Sequence, residues 1–321
     1  MRLAALVIAA SLVVGVPTAG AGRVAGARSI PACAAAGQYW PTMTLALAGD
    51  TAWVACKEQS RLVRMTLPGG RKTAALRLDG PVIAVATGHG SVWAVDSGGT
   101  LYRIDPARAR VSKRIETGAV AAYNVWIGAG SVWVADDQGA SVIRVSPAKN
   151  RVVADIQVGD GPADMAFDGA RAWVVTHRGN GLYRIDTATN RPTRLASVGG
   201  GNAATERIAF LGGSLWLTGR GVQLLQVDPG TGSIRQTIDI GGTGIDVVAA
   251  AGSLWVPVRT PEVDQAGFPT MTALRRVTQG GAVSTLATAS GRVDVHGLAA
   301  GKGAVWMADN TQGVLYRVPT T

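Results

Sequence analysis

One short pattern recurs along the chain: a small-residue turn, an apolar residue, a tryptophan, then a brief apolar run. It occurs at Thr51-Ala52-Trp53-Val54, Ser91-Val92-Trp93-Ala94, Ser131-Val132-Trp133-Val134 and Arg171-Ala172-Trp173-Val174. It returns at Ser214-Leu215-Trp216-Leu217, Ser253-Leu254-Trp255-Val256 and Ala304-Val305-Trp306-Met307. The tryptophans are 40, 40, 40, 43, 39 and 51 residues apart. After most of them comes a second apolar piece, as in Leu101-Tyr102-Arg103-Ile104 or Leu182-Tyr183-Arg184-Ile185. Apolar and polar positions alternate through these pieces, and no stretch carries helical periodicity.

Each unit predicts four short strands. One precedes the Trp, one carries it, one carries the Arg, and a fourth follows a turn rich in Asp, Gly or Asn. Strands at this period make the blades of a propeller. The expected fold is all-β, a seven-bladed β-propeller of four-stranded blades. The last repeat stops at Thr321, after its third strand. An open edge there would be sticky. The segment around Ile30 to Gln38 lies where the missing strand is needed, so an N-terminal strand is expected to close the ring. Pro31 suits such an edge position.

These repeats, with Gly-x-Val-Trp-Val-Ala-(Asp/Asn) followed by x-x-Arg-Ile-Asp-x-x-Thr-x-Asn, resemble secreted bacterial propellers of the YVTN/NHL type. They are also similar to the streptogramin B lyase (virginiamycin B lyase) family, over about residues 39–321. That family carries an acid-x-His-Gly-apolar segment before its last Trp, matched here by Asp294-Val295-His296-Gly297-Leu298. The resemblance implies a general base at His296 and a Mg²⁺ near Asp294. The family has a second His at the same place in the preceding blade. Here that stretch reads Thr243-Gly244-Ile245-Asp246-Val247, without a His.

The strand before each Trp lines a propeller's channel, and its start meets the end of the Trp strand on one rim. Nine residues before the tryptophans stand Thr44, Ala84, Asn124, Asp164, Arg207, Asp246 and Gly297. With Asp294 and His296 they predict a polar mouth among apolar neighbours, and polar groups so placed need partners. Trp126 takes a position that other blades give to Ala or Val; it either plugs the channel or walls a ligand site. Tyr39, Trp40 and Tyr123 belong near the same rim. The expected ligand site is Asn124, Trp126, Asp164, Arg207, Asp246, Asp294 and His296. No catalytic residue is assigned; the alternative makes His296 and Asp294 catalytic. Likewise no cofactor is expected, the alternative being Mg²⁺ on Asp246 and Asp294. His89 and His177 read as surface residues. The 51-residue interval predicts a long loop over 259–273 on the same rim, holding Glu262, Asp264, Phe268 and Met271.

Six of seven third strands carry an arginine: Arg64, Arg103, Arg144, Arg184, Arg276 and Arg317. Each can pair with an acid ending a second strand (Asp96, Asp136, Asp309) or stack on a Trp face. That gives part of the +10 net charge a structural origin and weakens nucleic acid as a partner. No basic and aromatic positions interleave as single-strand binding requires. Phosphate loops, dinucleotide fingerprints and serine elbows are absent.

Met1-Arg2-Leu3, the apolar run 4–16, Pro17 and Ala19-Gly20-Ala21 read as a secretory signal peptide. Residues 1–21 are the expected leader, 22–38 the segment completing the last blade, and 39–321 the propeller. The chain is then secreted or held in the cell envelope or periplasm, with no membrane span once the leader is gone. In that compartment Cys33 and Cys56 are either bridged or free. The reading is an exported, monomeric propeller that binds a small molecule, sugar, peptide or protein on its upper face. The alternatives are a magnesium-dependent lyase-like enzyme and a propeller binding DNA or an envelope surface.

Overall fold

A computed structural model describes residues 22–35, 43–200, 203–220, 222–263 and 269–320. The expected leader, Tyr39, Trp40, Asp264 and Phe268 lie outside them. Seven antiparallel sheets follow one another along the chain as the blades of a propeller. Blade one is Met43–Ala48, Thr51–Cys56, Arg61–Thr66 and Lys72–Arg77, from channel to rim. Blades two, three and four repeat this order from Val82–Gly88, Ala122–Gly128 and Pro162–Asp168. Blade five starts with Ala203–Leu211, beside the two-residue strand Gly199–Gly200.

Each repeated tryptophan sits at the same register, opposite a small residue of the inner strand except at Trp133, which faces Trp126, and opposite the arginine of the third except at Trp216, which faces Gln226. Thus Trp93 faces Ala86 on one side and Arg103 on the other. The seven are at most 2% exposed. They form the wedges between blades: Trp93 packs with Val125, Val132 and Val134 of blade three, and Trp173 with Ile208 and Leu215 of blade five.

The arginines resolve in favour of the tryptophan face. The guanidiniums of Arg64, Arg103, Arg144, Arg276 and Arg317 lie 5.1–5.9 Å from the ring centroids of their own blades' tryptophans. Arg103 Nε donates to Ser91 Oγ at 2.8 Å, and Nη1 donates to Pro147 O and Asn150 Oδ1 in the next blade's outer turn. Arg144 repeats this on Ser131, Thr187 and Asn190. Blade four departs: Arg171 replaces the accepting serine, and it is Arg171, not Arg184, that covers Trp173. The expected acid partners are occupied elsewhere. Asp96 and Asp136 accept turn amides from Gly98 and Thr100, and from Val120, Ala121 and Gly139.

Blade seven is Val295–Gly301, Ala304–Asp309 and Val314–Pro319, and Arg28–Pro31 pairs with the last of these, Ile30 opposite Leu315. The closing strand is thus shorter and earlier than the expected 30–38. Ahead of it, Arg23–Val24 adds an unforeseen fifth layer to blade six, pairing with Val283–Ser290. A Cys33–Cys56 disulfide, Cα to Cα 5.6 Å, ties the segment after the closing strand to blade one. The bond is reached because Cys33 follows the end of the closing strand, Pro31, by two residues and there already lies against blade one. Asn310 Oδ1 accepts Met43 N–H at 2.8 Å across the same seam.

Blade six corrects the expected 259–273 loop. Ser253–Val263 and Pro269–Thr278 are long strands paired from Ser253↔Thr278 out to Val263↔Pro269. The extra residues extend a hairpin on the rim above Asp246; Met271 is buried, its N–H bonded to Val293 O. The inner strand of this blade is split into Thr243–Gly244 and Val248–Ala250. Pro257 stands opposite the break and has no N–H to offer the ladder. Among the described residues, no helix is long and apolar enough to cross a membrane.

Replacing both cysteines by serine should lower the unfolding free energy by roughly 3 kcal/mol, the loop-closure value for a separation of 23 residues. Urea unfolding with and without reductant checks this: the wild type should shift and the double variant should not. Arg144→Lys should cost about 2 kcal/mol, because an ammonium keeps the charge but neither the fork nor the stacking plane. A Lys variant as stable as wild type would show the staple to be idle.

Candidate functional site

The inner strands enclose a channel of about 580 Å³. Asn124, Trp126, Asp164, Arg207, Asp246 and His296 all border it, from five successive blades, together with Thr44 of blade one. Asp294 is the exception among the expected site residues. It lies behind His296, 9% exposed, with Oδ1 3.0 Å from His296 Nε2. Its other oxygen, Oδ2, has no hydrogen-bond partner among the described residues.

The rim is shaped by a local irregularity repeated from blade to blade. Pairing between the first two strands slips at Val82/Ala84, Ala122/Val125, Pro162/Asp164, Thr205/Arg207 and Val295/Gly297. The residues left over are Ile83, Tyr123 with Asn124, Ala163, Glu206 and His296. A bulge releases a residue from the in-out alternation and re-aims its side chain. That places His296 and Asn124 at the mouth. Gly297 follows for a packing reason: a Cβ there would come within 3.0 Å of Thr44 Cα in blade one.

Asp164 joins three blades. Its Oδ1 accepts Trp126 Nε1–H and Met165 N–H, both at 2.8 Å, and Oδ2 accepts Ile208 N–H at 3.0 Å. Trp126 is thus a fixed wall of the channel, anchored through its indole to the next blade. Burial pushes the Asp164 carboxyl up to about 7, against the opposing pull of Arg207. Arg207 Nε lies 3.7 Å from Asp246 Oδ1, with both side chains about 15% exposed, and Nη1 donates to Glu206 O at 2.8 Å. Burial disfavours the Arg207 charge, yet Tyr123, Asp246, Asp164 and Glu206 outweigh it and hold the pKa above its ordinary value. Burial likewise raises Asp246, opposed by Arg207 and by the Val247 N–H it accepts.

His177 is not the surface residue that was expected. It is partly buried beside Tyr123, ring centroids 6.1 Å apart, with Nε2 3.6 Å from Asp137. Desolvation lowers its pKa, with Asp137 opposing. His89 does occupy a turn, at φ 51°. Sequence reasoning missed Lys57, which follows Cys56 at the end of a second strand and borders the upper mouth. The rule that second strands end on this rim could have found it.

These groups do not make a cradle for Mg²⁺, which takes about six oxygens at roughly 2.1 Å. Asp246 faces a guanidinium and Asp294 an imidazole. Among the described residues no three His, Cys, Asp or Glu side chains converge on one point.

No protein-family model matches the chain, and no curated protein matches it. Solved structures do match. Virginiamycin B lyase from Staphylococcus aureus superposes with a TM-score of 0.71 at 15% identity, over 93% of this chain and 99% of that one. A catalytically inactive variant of that lyase, solved with quinupristin, gives 0.70 at 13% identity, over 93% and 99%. The computationally designed Ika8 protein gives 0.63 at 10% identity, over 86% and 83%. The chain has the lyase's fold. Identities this low carry the architecture and leave activity to the residues of the mouth.

Asp164 makes stability depend on pH. Its folded pKa of about 7 lies above the ordinary value of 3.8, so the folded state binds the proton more tightly. Its contribution is complete below about pH 4 and is lost as pH rises through 7. Asp164→Asn should remove on the order of 2 kcal/mol of the stability difference between pH 5 and pH 8. Unfolding free energies at the two pH values check this. An unchanged difference would mean that the three N–H donors keep Asp164 ionised throughout.

Proposed function

We propose that this chain is an exported binding propeller that holds a small polar ligand at the upper mouth of its channel. One observation carries the reading. Five successive blades, three to seven, each place a hydrogen-bonding or charged side chain at the rim of one channel: Asn124, Asp164, Arg207, Asp246 and His296. Ligand sites combine apolar walls with a few convergent polar groups. Here the walls are Trp126, Phe167, Val85 and Leu298. The disulfide fits the exported location, since such bonds persist in oxidising compartments.

The likeness to virginiamycin B lyase, one structure of which is with quinupristin, supports a propeller that meets small molecules. It does not favour lyase chemistry. Asp246 stands where the resemblance asks for a second histidine, and it is tied to Arg207. A carboxylate is also a poorer base near neutral pH than an imidazole.

The test is a thermal-shift screen of neutral sugars, amino acids and short peptides, with hits repeated on His296→Ala and Asn124→Ala. Ligands of the mouth should stabilise the wild type in proportion to the logarithm of concentration. They should bind each variant about tenfold more weakly, as loss of one hydrogen bond to a buried group predicts. Hits that bind both variants as tightly as wild type would move the site elsewhere.

A further inference from the structure

We infer that the ligand of the mouth carries an oxyanion, a carboxylate or phosphate, received between Lys57 and Arg207. This rests on the mouth being a binding site, and it names the chemistry of what binds.

Above the wide channel the mouth narrows to a chamber of about 170 Å³, bordered by Lys57, Ser97, Tyr123, Asn124, Arg207 and His296, among others. Among the described residues no aspartate or glutamate borders it. Asp164 and Asp246 border the channel beneath. The polarity of the mouth is therefore layered, with acids below and donors above.

The donors have little else to bind. Lys57 is partly buried, and its ammonium has no hydrogen-bond or ion-pair partner among the described residues. Asn124 spends its Oδ1 on Val125 N–H at 2.9 Å. That leaves its amide NH₂ to donate. Ser97 and Tyr123 contribute hydroxyls, which are free to donate or accept. Arg207 is balanced by Asp246 at 3.7 Å, a separation too long for a bidentate pair, and a guanidinium has five N–H groups to share.

A cation left without a counter-ion in a partly enclosed, donor-lined chamber attracts an anion, and charge-assisted hydrogen bonds to carboxylate or phosphate oxygens are the strong ones. Lys57 is also well placed to hold its position. It emerges directly after Cys56, whose bond to Cys33 pins the backbone to the ring seam. A neutral sugar could use the same hydroxyls and amide, but it would leave the Lys57 ammonium without an anion.

The experiment is calorimetric titration of the full chain with benzoate, inorganic phosphate and benzamide, the last being the uncharged counterpart of benzoate. Wild type should bind benzoate, phosphate or both, and not benzamide. Binding of one alone identifies the oxyanion as carboxylate or phosphate. Lys57→Gln should weaken binding about tenfold, and Lys57→Arg should restore it. Lys57 is the residue to change because Arg207 is paired with Asp246 beside the channel and its loss risks the fold.

Benzamide binding as tightly as benzoate overturns the inference, and so does anion binding that is indifferent to Lys57→Gln. Wild type that binds none of the three probes overturns it as well. The screen of neutral compounds on His296→Ala then decides separately whether the mouth is a binding site at all.

Discussion

The ring rests on one contact: a buried tryptophan wedged between neighbouring blades with an arginine laid on its outer face. The indole supplies the apolar area that a blade of small residues otherwise lacks. Its position opposite Ala86 or Ala166 works because those side chains are small. The arginine covers the face that would meet water and carries the contact onward, since its fork reaches the outer turn of the next blade. A blade so held cannot tilt without breaking both the packing and the fork. The rigidity of the mouth follows from this, because every inner strand inherits the position of its blade.

Closure then decides where that rigidity is spent. A propeller has one seam, and here Arg28–Pro31, the Cys33–Cys56 bond and the Asn310–Met43 hydrogen bond all lie across or beside it. The same seam carries Gly297 against Thr44, and His296 stands next to it. The rim around His296 is thus built beside a reinforced join of the ring. The two long strands of blade six run on past Arg259, the last residue paired with the split inner strand.

The electrostatics of the mouth come from a compromise over one buried arginine. Arg207 needs anions near it to stay charged away from water, and Asp246 and Asp164 supply them. That consumes the acids of the channel. Among the described residues the Lys57 ammonium above has no partner, and the Asp294 carboxylate lies against His296. The arrangement shares the lyase's fold, and Asp246, which faces His296 from the preceding blade, is paired with Arg207.

Fold and blade number were legible in the chain because a propeller is local. Each blade is contiguous, its strands alternate in and out, and the repeated Trp and Arg mark the register directly. Asn124, Asp164, Arg207, Asp246 and His296 could be placed on one rim by counting back from the tryptophans, since strand direction fixes the rim. What counting could not supply was anything set by contacts between blades. The Asp164–Trp126 bond and the half-burial of His177 against Asp137 depend on neighbours some forty residues away, whereas the slips that push His296 and Asn124 outward and the retreat of Asp294 behind the imidazole are set within a blade and leave no mark in the spacing. The stacking of Arg171 on Trp173 is likewise local to one strand. The 259–273 segment misled for the opposite reason: extra length between two strands reads as a loop, and only the pairing of Val263 with Pro269 shows that both strands simply continue. Alternation and spacing determined the blades; the close approach of one blade to the next decided which side chains meet at the mouth.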